Sequence, residues 1–164
     1  MRRPGLALVA TAAWLVLVAC GPLGGGSALL PPAHDLQRLH TLVNEARAEA
    51  RTCGEAAHAA APPVALESRL MAAAQKHSVD MHEHGFMSHT GSDGSTLPER
   101  VEREGYAWSQ LGENVARGYT TPESVMAGWL GNPGHCTNLM RSGYTELGLG
   151  RSDAYWTQVF AVPR

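Results

Sequence analysis

Glu146-Leu147-Gly148-Leu149-Gly150-Arg151, then Ser152-Asp153-Ala154, then Tyr155-Trp156-Thr157-Gln158-Val159-Phe160-Ala161-Val162 form the stretch on which the fold class turns. Leu147 and Leu149 alternate with small or polar residues, and Trp156, Gln158 and Phe160 alternate with Tyr155, Thr157 and Val159. A period of two is the strand signature. The residues between the runs are few enough to join them as a β-hairpin, and residues 112–117 offer a third strand. Upstream the period changes. Leu36, Leu39, Val43, Ala46 and Ala50 recur at spacings of three or four, which predicts an amphipathic helix from Asp35 to Arg51 with Gly54 just beyond it. Leu70, Ala73, Ala74, His77 and Met81 predict a second helix, capped by Ser68 and stopped after His84 by Gly85. Thr96-Leu97-Pro98-Glu99 is a capping box opening a short helix that ends at Gly105, and Thr120-Thr121-Pro122-Glu123 repeats the signal before Val125, Met126 and Trp129. Asn132-Pro133 opens one more turn, through Met140. Helices followed by a small antiparallel sheet define an α+β domain.

The beginning of the chain reads as an address. Arg2 and Arg3 precede an apolar run from Leu6 to Ala19, the pattern of a secretory leader and too short for a comfortable membrane span. Leu17-Val18-Ala19-Cys20 is a lipobox, so residues 1–19 are expected to be removed and Cys20 to be lipidated as the new N-terminus. Several acyl chains anchor far more firmly than one. Residues 20–33, with Gly24-Gly25-Gly26-Ser27 and Pro31-Pro32, read as a flexible tether, and residues 34–164 as the folding domain. Of thirteen basic residues, two leave with the leader, so the mature chain sets eleven against fifteen acidic ones. An acidic domain without Lys/Arg clusters excludes nucleic acid as the expected partner. About 130 residues suffice for one core.

Of the three cysteines, the lipobox takes one. An oxidising compartment allows Cys53 and Cys136 to pair, while Cys136 beside His135 could instead be a metal ligand or a reactive thiol. His82-Glu83-His84 lacks the i,i+4 histidines of a zincin and reads as a solvated helix end. His77 reads as a core histidine, Ser92-Asp93-Gly94-Ser95 as a turn, and Trp108, Trp129, Trp156 and Phe160 as core or cleft wall. Ser88 and Ser92 lie near His89 without a nucleophile elbow.

Four motifs in fixed order add to this: Phe86-Met87-Ser88-His89-Thr90-Gly91, Gly112-Glu113-Asn114-Val115-Ala116, Asn132-Pro133-Gly134-His135, and Tyr155-Trp156-Thr157-Gln158-Val159-Phe160. From His34 to Arg164 the chain resembles the bacterial branch of the CAP superfamily, also called SCP/PR-1-like. The resemblance implies an α-β-α sandwich. It also implies a disulfide between Cys53 and Cys136, closing a loop worth on the order of 4–5 kcal/mol in the chain-entropy picture. Eukaryotic relatives line a cleft with two His and two Glu, whose His can bind a divalent metal such as zinc, and some bind sterols or fatty acids. His89 matches the first His and Glu113 the first Glu, whereas Tyr155 stands at the second His and Asn132 at the second Glu. His135 is the candidate to restore the second imidazole. Asn114 and Gln158 are expected to support the cleft.

Three functions follow as expectations. The first is a membrane-anchored extracytoplasmic lipoprotein, exported to the cell membrane or outer membrane, that binds a small apolar molecule or an envelope polymer. The second is a metal-dependent, peptidase-like hydrolase using His89, His135 and Glu113. Two imidazoles and a carboxylate would leave zinc an open position, and without metal His89 on Glu113 is an oriented base. The third is a structural envelope protein in which these groups only hold the cleft together.

Overall fold

A computed structural model of the chain describes residues 33–164. The leader, Cys20 and the tether lie outside the described residues. In chain order the elements are α1 (Ala33–Arg47), β1 (Arg51–Cys53), β2 (Ala56–His58), β3 (Ala65–Leu66), α2 (Ser68–His84), α3 (Leu97–Arg103), β4 (Trp108–Arg117), α4 (Pro122–Gly131), α5 (Pro133–Met140), β5 (Glu146–Ser152) and β6 (Tyr155–Pro163). Among the described residues, no helix is long and apolar enough to cross a membrane.

The hairpin read from sequence is the centre of the molecule. β5 and β6 pair antiparallel from Glu146–Ala161 to Ser152–Tyr155, and β4 pairs with the other side of β6, with Glu113 opposite Val159 and Asn114 opposite Gln158. The main sheet runs β3-β5-β6-β4 and is mixed, because the two-residue β3 lies parallel to β5. The antiparallel expectation therefore holds for three of its four strands.

Period-two alternation here sorts residues between two covered faces. Tyr155 to Ala161 are all buried. Leu147, Leu149, Trp156 and Phe160 pack with Leu39 and Val43 of α1, Val125 and Trp129 of α4 and Leu139 of α5. Val159 and Ala161 pack on the opposite side with Leu70 and Ala74 of α2 and Val101 of α3. The result is the α-β-α sandwich. β5 turns glycines to α2: a Cβ on Gly148 would lie 2.2 Å from the Leu70 backbone, so the helix rests directly on the strand.

Three local expectations are corrected. The first helix ends at Arg47, and residues 51–53 form β1 instead. The buried Arg47 guanidinium donates to the carbonyls of Pro62, Leu139, Arg141 and Tyr144, and the Arg47 carbonyl accepts from Ala61, which turns the chain away. Gly54, with φ +62°, serves the β1–β2 hairpin rather than a helix end. Glu67, not Ser68, caps α2 by accepting from the Arg69 and Leu70 amides, and Gly85 closes it in the left-handed region at φ +69°. The cap of α4 is Thr121 with Ser124, one residue on from the Thr120–Glu123 frame; the box at Thr96 and Glu99 is as read.

Cys53 and Cys136 are joined, with Cα atoms 5.5 Å apart. The bridge fastens the β1–β2 hairpin to α5, the helix carrying His135.

Candidate functional site

β4 is an edge strand, so groups from both sides of the sheet converge at its free edge. There an open cleft of about 820 Å³ is lined by His89, Glu113, Asn114, Asn132 and His135, with residues 57–60 of the hairpin and Arg141 forming the outer wall. A smaller hollow of about 290 Å³ continues on the far side of His89 and Glu113, against Thr96 and Leu97.

Each key side chain is held by a different element. His89 follows the Gly85 stop, and its loop is pinned where His77 Nε2 donates to the Ser88 carbonyl at 2.8 Å. Glu113 sits in β4 with its side chain only 3% exposed. Its Oε1 accepts from His89 Nδ1 at 2.8 Å, and its Oε2 accepts from Arg100 Nη2 at 2.7 Å. An ionised carboxylate can only accept, so His89 carries its proton on Nδ1 and leaves Nε2 toward the cleft. Arg100, 8% exposed, also donates to the carbonyls of His89 and Ser95, locking loop, helix and strand into one unit. The Glu113 hydrogen bond raises the His89 pKa above the ordinary histidine value. His135 lies in the first turn of α5, where Asn132 Oδ1 accepts from its amide and from that of Gly134. Burial, and then the charge of His89, lower the His135 pKa.

Asn114 is fully buried and holds the floor. It donates to Gln158 Oε1 at 2.8 Å and to the His135 carbonyl at 3.2 Å, and accepts from Asn138 at 3.0 Å. The structure thus brings His89, Glu113, Asn114 and His135 together as expected. Gln158 lies behind Asn114 in the core and does not line the cleft. Tyr155 is a clear departure: it is buried with Met81 and Val115, stacked on His82 at 5.5 Å. Its position in β6 faces α2, beside Met81, and it does not line the cleft. The second imidazole is His135. His82 is likewise not a solvated end, since it also bonds Ser152. Ser88 and Ser92 are committed to Thr90 and Asp80.

Sequence reading missed Arg100, Arg47 and the cleft-wall residues His58 and Arg141. The available cue for Arg100 was its place beside Val101, the buried apolar residue of α3.

The donor set does not fit a resident metal. Among the described residues no group of three or more His, Cys, Asp or Glu converges as a metal set. Both Glu113 oxygens are already engaged, and His58 does not converge with His89 and His135 to complete the three protein ligands of a catalytic zinc.

The fold and site define a class: a three-layer sandwich with a disulfide-braced His/Glu cleft at its sheet edge. The chain belongs to the CAP family, the cysteine-rich secretory protein family, whose sequence model matches residues 40–162. It is 38% identical over 84 residues to the uncharacterized membrane protein YlbC of Bacillus subtilis, covering 51% of this chain and 24% of that one. It is 29% identical over 100 residues to the uncharacterized protein YkwD of the same organism, covering 60% and 39%. The chain thus spans well under half the length of these two relatives. An extracellular SCP-domain protein from Bacillus anthracis superposes with a TM-score of 0.68 at 27% identity, covering 82% of this chain and 45% of that one. An outer surface protein from Borrelia burgdorferi shares the fold, with a TM-score of 0.70 at 17% identity over 83% and 98% of the two chains.

Proposed function

We propose that this chain is an exported, membrane-anchored CAP-domain lipoprotein that binds a cell-envelope ligand in the His89–Glu113–His135 cleft without turning it over. The lipobox at Cys20 supplies the anchor. Related proteins that are extracellular, on the outer surface or in the membrane support the location. The observation that carries the binding reading is the commitment of Glu113. With one oxygen accepting from a guanidinium, the other from an imidazole, and only 3% of its side chain exposed, Glu113 is committed to holding Arg100 and orienting His89 rather than to meeting water in the cleft. What remains open to the cleft is His89 Nε2, the His135 ring and a polar wall, a set suited to recognition. That lining favours a polar envelope polymer over a small apolar molecule. The same commitment, with no three ligating groups converging among the described residues, weighs against the metal-dependent hydrolase.

Calorimetry of the mature protein with soluble envelope-glycan fragments tests this reading. Saturable binding that His89→Ala abolishes, with melting temperature held within about 2 °C, supports it. No saturable binding to any envelope fraction refutes it, and leaves the structural role. For the anchor, labelled palmitate should enter the wild type and not Cys20→Ser; equal labelling refutes lipidation.

A further inference from the structure

We infer that the cleft recognises an anionic group, a carboxylate or phosphate on its envelope ligand, between His135, His58 and Arg141. The inference rests on the binding reading above and names the chemistry it selects.

Four groups that carry or can take positive charge reach the cleft lining from four places: His58 on β2, His89 on its loop, His135 on α5 and Arg141 just after α5. The single carboxylate among the lining residues is Glu113. Arg100 neutralises it from behind, at 2.7 Å, before any ligand arrives. The sign left over is positive, inside a domain whose overall balance is acidic. A concave, partly desolvated wall focuses such a field.

Among the described residues, the bonds of His135 run through its backbone, to Asn132 and Asn114. Its ring is therefore free to donate when protonated. Arg141 is exposed, lies over the Tyr144 ring at 5.7 Å and has no carboxylate partner among the described ion pairs. His58 Nε2 stands 3.4 Å from Thr137 Oγ1, a long contact that places ring and hydroxyl side by side on the cleft wall. The first turn of α5 adds the positive end of a helix dipole beside His135. Two or three charge-assisted donors around one oxyanion are the usual means of holding a carboxylate or phosphate.

An anion between these groups stabilises their protonated forms, so binding tightens as pH falls. His135, held low by burial and by His89, gains most. The other titratable and charged groups lining the cleft are His58 on β2, His89 on its loop, Glu113 on β4 and Arg141 after α5, with Arg100 behind Glu113.

The test is calorimetry of detergent-solubilised mature protein at pH 7.5 and 5.5 with three probes: N-acetylmuramic acid, its methyl ester, and inorganic phosphate. Expected is saturable binding of the acid, of phosphate, or of both in competition, at least threefold tighter at pH 5.5. The ester should bind at least tenfold more weakly than the acid. Arg141→Gln should weaken anion binding at least fivefold, and by more than it weakens binding of any neutral glycan fragment. Binding of the acid alone assigns a glycan carboxylate, and of phosphate alone a phosphorylated polymer. Equal binding of acid and ester, with no response to phosphate, overturns the inference and leaves the binding reading standing. Failure of every envelope fragment, charged or neutral, overturns both.

Discussion

Replacing Arg100 with methionine asks whether Glu113 is the keystone of the site. Arg100→Met preserves most of the apolar stem and removes the guanidinium from a carboxylate whose side chain is 3% exposed. It also strips donors from the His89 and Ser95 carbonyls. Breaking a buried ion pair from one side costs about 3–5 kcal/mol. His89 remains on Oε1, so the lower end, about 3 kcal/mol, is expected near neutral pH. For a domain of this size that is a fall of roughly 10 °C in melting temperature. The double variant Arg100→Met/Glu113→Gln removes the stranded charge and should recover much of the loss. A second readout is independent of stability. The Arg100 charge lowers the His89 pKa, so removing it raises the pKa further. A group raised in the folded state contributes stability that is complete below its unfolded pKa and is lost as pH rises through the folded one. The deficit of Arg100→Met should therefore be smaller at pH 5.5 than at pH 8. Urea unfolding at both pH values, with ring-proton NMR of His89, measures both effects. A cost below about 1 kcal/mol, or a double variant as unstable as the sum of the singles, would refute the coupling argued from the geometry.

The remaining predictions are narrower. Cys53→Ser/Cys136→Ser opens a loop with a separation of 83 residues and should cost about 4.5 kcal/mol, read as an unfolding midpoint matching that of the reduced wild type. Gly148→Ala drives a methyl group to within 2.2 Å of the Leu70 backbone. It should destabilise by about 3 kcal/mol or more as overpacking, and a loss below about 0.5 kcal/mol in urea titration would contradict the direct α2–β5 contact. Chelation and zinc readdition should leave the melting temperature unchanged within about 1 °C, since among the described residues no three ligating groups converge and both Glu113 oxygens are engaged. A zinc-dependent rise of several degrees would contradict that donor count.

Much of the fold was legible because its signals are local. Gly85 stops a helix, the Thr96–Glu99 box starts one, and Leu147–Leu149 against Trp156–Phe160 marks two strands without reference to anything distant. The errors fall where a distant partner decides. α1 stops at Arg47 because four carbonyls, three of them more than 90 residues away, claim its guanidinium. Glu67 caps α2 although glutamate is an uncommon N-cap. The site divides the same way. His89, Glu113 and His135 carry recognisable motifs, whereas Arg100 is one arginine among several in a short helix, and only the fold places it on Glu113. Tyr155 was misassigned because a motif match fixes order along the chain and not the face of the strand, and that face turns toward α2.

The central claim is that the imidazoles of His89 and His135 share one cleft and feel one another. The direct measurement is the pKa of His135, by ring-proton NMR, in the wild type and in His89→Ala. Burial, and then the charge of His89, lower the His135 pKa, so removing that ring is expected to raise it part of the way toward the ordinary histidine value. An unchanged pKa would place the two rings in separate environments and contradict the account.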